Sequence, residues 1–285
     1  MDTVARKVLP QTVRNLIRPE VYLARRGVQK LRQLSGQTGR LPDFLILGAQ
    51  KAGTTTLYDL IMRHPGTAAA RTKEISYFDR FHRWGPDWYR SNFPDGTALT
   101  GEATPCYLFV PEAARRIADT LPPTTRFIVL LRDPVDRAIS HYFHERRLGY
   151  EPLTLAKALD AEPRRTGPDA GVLLGRRHEH RTQGQSFAYV GRGRYAEQLK
   201  RYFALFPREN FLIETSDRFF AEPLAVLAEV HAFLGLPPHT PPRVRPRNVG
   251  VYAGRVPPEI LVRLSTTFAP ENARLADLLN RPLPW

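Results

Sequence analysis

The sequence predicts an α/β protein: a doubly wound parallel sheet in one domain, with a turn of P-loop type after the first strand. Three observations carry that expectation. Short, near-continuous apolar runs recur (Phe44–Leu47, Phe127–Leu131, Phe211–Ile213), as strands buried on both faces require. Helical periodicity lies between them, and strands alternating with helices build a parallel sheet that places ligands at its carboxyl ends. The first run meets a turn rich in glycine and threonine, and a helical pattern follows.

Taken in order, residues 1–40 form a basic arm with helical stretches. Val13, Leu16, Ile17, Val21, Leu23, Val28, Leu31 and Leu34 are interleaved with Arg14, Arg18, Arg25, Arg26, Lys30 and Arg32. Such an arm could rest on a membrane surface, meet a partner, or pack on the domain. The main domain spans 41–285. Its strands are expected at 43–48, 97–101, 125–131 and 210–214. Helices are expected at 54–63, 111–120, 134–148, 194–206, 222–235 and 257–279. Residues 160–192, rich in Gly, Pro, Arg and His, read as a long acceptor-side loop or lid. His178 and His180 lie there, but no third ligand is near in sequence, so no metal site is expected. A Pro-rich segment, 237–246, precedes the last helix.

Composition narrows the setting. The chain has 285 residues, 42% of them hydrophobic, enough for a substantial core. Its net charge is +14, and only six of its cations are lysine, at 7, 30, 51, 73, 157 and 200. That balance suits an anionic partner without naming one. Cys106 is the only cysteine, so neither an internal disulfide nor a cysteine-rich zinc site can form. No apolar run approaches the ~20 residues a bilayer needs, and the N-terminus lacks a signal-peptide pattern. The expected setting is a soluble, cytoplasmic protein.

Two segments carry the chemistry. In the first, Gly48 and Gly53 keep the glycine spacing of G-x-x-x-x-G-K-[ST], and Thr54, Thr55 and Thr56 follow. The lysine, however, sits inside the turn at Lys51, and Thr54 occupies the usual lysine position. A helix N-terminus plus a lysine makes an anion cradle. The displaced cation argues for a phosphate-like group that is not handled as a nucleoside triphosphate. In the second, the strand at 125–131 ends in Arg132-Asp133-Pro134. Asp133 suits an N-cap and Pro134 a first helical position. Arg132 then stands at a strand's carboxyl end beside the cradle, with Arg137, Ser140 and His141 on the helix that follows. An arginine fork and a hydroxyl can hold a second phosphate, so a nucleoside with two separated anionic groups would fit.

Five segments in this order resemble the sulfotransferases. They are Gln50-Lys51-Ala52-Gly53-Thr54-Thr55, Lys73-Glu74-Ile75-Ser76-Tyr77-Phe78-Asp79, Trp88-Tyr89, Gly101-Glu102-Ala103-Thr104-Pro105-Cys106-Tyr107 and Arg132-Asp133-Pro134-Val135-Asp136-Arg137-Ala138-Ile139-Ser140. The resemblance is nearest to the heparan-sulfate-type branch, its N- and 3-O-sulfotransferase domains, and bacterial relatives. It runs from about 43 to 285 and includes Glu271-Asn272-Ala273-Arg274-Leu275 and Trp285. It implies 3′-phosphoadenosine 5′-phosphosulfate (PAPS) as co-substrate. It further implies that Lys51, Ala52, Gly53, Thr54, Thr55 and Thr56 bind the 5′-phosphosulfate, and that Arg132 and Ser140 bind the 3′-phosphate. Glu74 would be the catalytic base. Three departures stand out. Ala103 replaces a usual lysine, the cysteine pair near the C-terminal cofactor loop cannot exist, and only Gly254 and Arg255 match that loop's Lys-Gly-Arg.

Sulfuryl transfer is in line, so positioning and charge stabilisation dominate. Lys51 can neutralise charge on the departing oxygen, and a carboxylate can take the acceptor's proton. Glu74 and Glu102 compete for that role, the other being a positioning or structural carboxylate. Tyr195 could pack near the adenine or lie in the core. The chemistry requires no metal. The acceptor, a hydroxyl or amine of a glycan, lipid or natural product, is open. A P-loop kinase would need a lysine directly after Gly53 and a magnesium-binding carboxylate, for which only Asp133 is placed. A non-catalytic nucleic-acid or membrane binder would rest on 1–40 and 160–192, but these basic stretches lack interleaved aromatics, so no nucleic-acid partner is expected.

Overall fold

The computed structural model describes residues 39–166, 186–241 and 256–285, together with Gly27. The basic arm at 1–40, apart from Gly27, Gly39 and Arg40, lies outside the described residues, as do 167–185 and the segment with Gly254 and Arg255. Four parallel strands form one sheet in the order β2-β1-β3-β4: β1 (Phe44–Gly48), β2 (Gly101–Ala103), β3 (Arg126–Leu131) and β4 (Phe211–Thr215). Every residue of β1 and all but the first of β3 are buried. Apolar side chains on both faces therefore exclude water, as a sheet covered by helices on two sides demands.

The expected strand at 97–101 is displaced to Gly101–Ala103. Two contacts from distant segments explain this. Asp43 Oδ2 takes the Thr100 amide at 2.7 Å, and Leu99 bridges instead to Thr67. Pairing with β1 then begins at Phe44 opposite Gly101. Gly101 is needed there, because a Cβ would lie 2.5 Å from the Phe44 ring.

The helices among the described residues are α1 (Thr54–Ile61), α2 (Pro86–Arg90), α3 (Pro111–Thr120), α4 (Pro134–Arg147), α5 (Leu155–Thr166), α6 (Tyr195–Phe203), α7 (Ser216–Ala221), α8 (Pro223–Leu234) and α9 (Pro258–Leu279). The cap expected before α4 is present: Asp133 Oδ1 accepts from Val135 N at 2.7 Å and Asp136 N at 3.2 Å, with Pro134 following. Such a cap stabilises a helix by about 1 kcal/mol. The helical run expected at 222–235 is preceded by the separate α7, and α8 stops at Gly235, whose φ is +73°. The expected loop at 160–192 is corrected at its start, where 160–166 complete α5. Leu155, Ala158, Leu159 and Glu162 make its buried face. Glu162, which falls in the expected loop, instead sits on this buried face and receives the amides of Val190 and Gly191 at 2.8–2.9 Å. Among the described residues no helix is long and apolar enough to cross a membrane.

Candidate active site

The carboxyl ends of β1, β3 and β4 meet at the turn 49–53. Neighbouring strands hold this turn from several sides. Ala49 N donates to Leu130 O at 2.7 Å, Arg132 Nη1 to Lys51 O at 3.2 Å, and Ser216 Oγ to Ala52 O at 2.7 Å. Lys51 and Gly53 take left-handed backbone conformations, φ +76° and +99°. Gly53 O receives the amides of Thr56 and Leu57, so the amides of Gly53, Thr54 and Thr55 precede the helical ladder of α1. With the Lys51 and Ala52 carbonyls tied to Arg132 and Ser216, the turn offers N–H groups at the positive end of a helix dipole. Thr54 and Thr56 are buried and Thr55 is half-buried.

Cations gather around this turn. Burial, with help from Arg147 and Arg132 and against the pull of Glu145, lowers the Lys51 ammonium to about 8. Arg132 pairs with Asp136 at 3.0 Å. Arg137 is fully buried, and burial lowers it to about 10. Its Nη2 donates to Tyr189 O, whereas Nε and Nη1 have no hydrogen-bond partner among the described residues. Buried guanidinium N–H groups left unmatched beside further cations fit a ligand of multiple negative charge. Ser140 is buried on α4, the helix that carries Arg137 and begins beyond Arg132. Tyr195 is a core tyrosine whose hydroxyl donates to Arg132 O at 2.9 Å, fixing the strand end from α6.

The two competing carboxylates occupy opposite environments. Glu74 has its side chain 52% exposed, pairs with Lys73 at 3.3 Å, and sits on a left-handed backbone, φ +57°, as does Ser76. Glu102 is buried and receives three hydroxyls: Tyr89 at 2.7 Å, Thr104 at 2.6 Å and Tyr107 at 3.0 Å. Burial pushes its carboxyl up to about 7 against the pull of those hydroxyls. Asp133, the carboxylate that a P-loop kinase reading would use for magnesium, spends an oxygen on its own helix cap. No cluster of three His, Cys, Asp or Glu arranged for a metal occurs among the described residues.

The structure thus brings Lys51, Ala52, Gly53, Thr54, Thr55, Thr56 and Arg132 together. It places Ser140 along the adjoining helix, and Gly254 and Arg255 lie outside the described residues. Sequence reasoning missed Ser216 and Arg147. Only the rule that parallel strand ends converge could have pointed to Ser216, which follows β4.

N–H groups and cations gathered at the carboxyl ends of parallel strands are the arrangement by which α/β proteins bind phosphorylated ligands. A family profile described as the sulfotransferase domain matches residues 41–247. The human heparan sulfate glucosamine 3-O-sulfotransferase 6 is 30% identical over 272 residues, covering 86% of this chain and 74% of that protein. The human bifunctional heparan sulfate N-deacetylase/N-sulfotransferase 3 is 35% identical over 211 residues, 70% of this chain but 23% of that protein. The crystal structure of a sulfotransferase from Alicyclobacillus acidocaldarius superposes with a TM-score of 0.71 at 29% identity, over 86% of this chain and 98% of that one. The chain belongs to the sulfotransferase domain family, and it is a PAPS-dependent sulfotransferase.

Proposed function

We propose that the Gly48–Thr56 turn holds the 5′-phosphosulfate, that Arg132 and Ser140 hold the 3′-phosphate, and that Glu74 takes the acceptor's proton. The observation that carries this reading is the convergence of Lys51, Arg132 and the half-satisfied Arg137 on one turn. The donor supplies the sulfuryl group and a good leaving group. Lys51 neutralises the charge that gathers on the departing oxygen, and the amides of Gly53, Thr54 and Thr55 fix the group's orientation. Glu74 has the exposure to reach an acceptor and accept its proton, which Glu102 lacks. Residues 41–285 act as one sulfotransferase domain. The acceptor is a hydroxyl or amine, and the heparan sulfate enzymes among the relatives favour a glycan. A single cysteine, Cys106, supports a reducing, cytoplasmic setting.

Ligand stabilisation tests the reading. Adenosine 3′,5′-bisphosphate should raise the melting temperature without magnesium, and Glu74→Gln should keep that response while losing labelled-sulfate transfer. Stabilisation by ATP with magnesium alone would sink the proposal, and full turnover in Glu74→Gln would remove Glu74 from it.

A further inference from the structure

Glu102 lies at the centre of a hydroxyl network that ends on the Glu74 turn. Thr104 Oγ1, which donates to Glu102 Oε2 at 2.6 Å, also receives the Ser76 amide at 3.3 Å. Tyr107 Oη, which donates to Glu102 Oε1 at 3.0 Å, also receives the Tyr77 amide at 2.9 Å. The third donor, Tyr89, stacks its ring on Tyr77 with centroids 4.5 Å apart and planes 14° from parallel. Three routes therefore run from one buried carboxylate to residues 76 and 77. Glu74 and Ser76 are the two residues of this segment with positive φ. A left-handed conformation at a non-glycine residue is unfavourable by itself and persists only where its surroundings impose it.

The donor count decides what the carboxylate does. A hydroxyl has one proton and two lone pairs, and an ionised carboxylate only accepts. Given to Glu102, the protons of Thr104 and Tyr107 leave only lone pairs for the backbone, which is what two amide donors need. A neutral side chain at 102 brings a hydrogen of its own. A hydroxyl that meets that hydrogen becomes an acceptor toward residue 102; where it is Thr104 or Tyr107, its lone pairs are shared between the side chain and the backbone amide, and that arm loosens.

We infer that Glu102 is a positioning residue: through Thr104 and Tyr107 it orients the acceptors of the Ser76 and Tyr77 amides and so holds the Glu74 turn. This rests on the reading of Glu74 as the base. The groups facing Glu102 are Tyr58, Tyr89, Tyr107 and Asp79. Burial holds the three tyrosines above the ordinary phenol range. Asp79 is itself raised by burial and adds to the rise at Glu102. The order in the turn should accordingly appear as pH rises through about 7 and Glu102 ionises.

Amide hydrogen exchange on the full chain with adenosine 3′,5′-bisphosphate, followed from pH 6 to 8.5 and corrected for intrinsic rates, reads this directly. In the wild type, protection at Ser76 and Tyr77 should rise across pH 7. In Glu102→Gln it should fall at least tenfold and lose that pH dependence, while amides 49–56 stay protected and bisphosphate affinity changes less than twofold. Tyr107→Phe should release Tyr77 alone, and Thr104→Val Ser76 alone, with Thr104→Ser restoring protection. These two arms carry the test if Glu102→Gln does not fold. Unchanged protection in the variants that fold would overturn the inference, as would equal loosening of the cradle. With whichever acceptor a labelled-sulfate screen of glycans, lipids and phenols identifies, kcat should fall at least tenfold in Glu102→Gln at constant KM for the donor. Full turnover in Glu74→Gln removes the base assignment, whereas wild-type exchange in Glu102→Gln removes only the positioning role.

Discussion

Replacing Gly53 by alanine tests whether the turn after β1 is tuned for its ligand. Gly53 is the N-cap of α1 with φ +99° and ψ 9°, and it has no side-chain cap. An added Cβ would sit 2.8 Å from Phe220 Cζ, 3.2 Å from Cε2 and 3.5 Å from Leu130 Cδ2. Phe220 is 49% exposed, so its ring can swing outward and relieve the first two contacts. The backbone cannot relax as easily, because Gly53 O holds the Thr56 and Leu57 amides at 2.9 and 3.1 Å while Ser216 holds Ala52 O. Positive φ at alanine costs roughly 1–2 kcal/mol. The stiffer unfolded chain offsets up to about 1 kcal/mol of that. A net loss of about 1 kcal/mol remains, plus the ring contact, and Phe220→Ala in the same background should remove only the ring part. If the chain relaxes toward negative φ, the amides of residues 53–55 turn away from the anion. Affinity for adenosine 3′,5′-bisphosphate should then drop about tenfold, or ~1.4 kcal/mol. Denaturant unfolding and titration calorimetry on the two single variants and the double variant separate these contributions. Wild-type stability and affinity in Gly53→Ala would refute the reasoning, and rescue of affinity by Phe220→Ala would assign the loss to the ring rather than to φ.

Two further outcomes follow from buried charge. Lys51 is cationic below about 8, so bisphosphate affinity should fall as pH rises through that value, by up to about tenfold per pH unit. Calorimetry from pH 7 to 9.5 should find this limb moved upward in Arg147→Ala and missing in Lys51→Met, and a flat wild-type profile would count against Lys51 as the cradle cation. His231 is buried on α8, with neither ring nitrogen hydrogen-bonded among the described residues. Burial, helped by His64 and His239, lowers it from 6.5 to about 4. The unfolded chain therefore binds this proton first as pH falls below 6.5, and stability should decline toward pH 4 by up to ~3 kcal/mol. In His231→Leu that part of the decline should be absent from denaturant unfolding at pH 4 to 7, and an identical slope in both proteins would argue against it.

The parts of this molecule legible in its sequence are those whose physics is local. The strand–turn–helix around Lys51 is contiguous, and its glycines, hydroxyls and apolar run each constrain the same few residues. The Asp133-Pro134 start of α4 is legible for the same reason, since a cap and a first-turn proline act within three positions. β2 was displaced because the Asp43 side chain, from another strand's edge, claims the Thr100 amide, and no pattern around residue 100 announces it. The end of α5 was hidden because the amides that Glu162 receives, from Val190 and Gly191, arrive from 28 and 29 residues away.

The same distinction bears on the two carboxylates. Both follow strand or turn residues and precede aromatics, so sequence alone left the roles of Glu74 and Glu102 open. What separates them is the number of donors that distant segments deliver. Glu102 receives hydroxyls from residues 89, 104 and 107, whose convergence depends on β2 pairing with β1 and on α2 folding back toward it. A carboxylate whose lone pairs are engaged by three protein hydroxyls in a closed interior is poorly placed to collect a substrate proton, but well placed to fix its neighbours. Glu74 is exposed on a left-handed backbone two and three residues before the Ser76 and Tyr77 amides that the network receives. The proposed base and the buried carboxylate are then not alternatives, because the hydroxyls on Glu102 also receive the amides of the turn that carries Glu74.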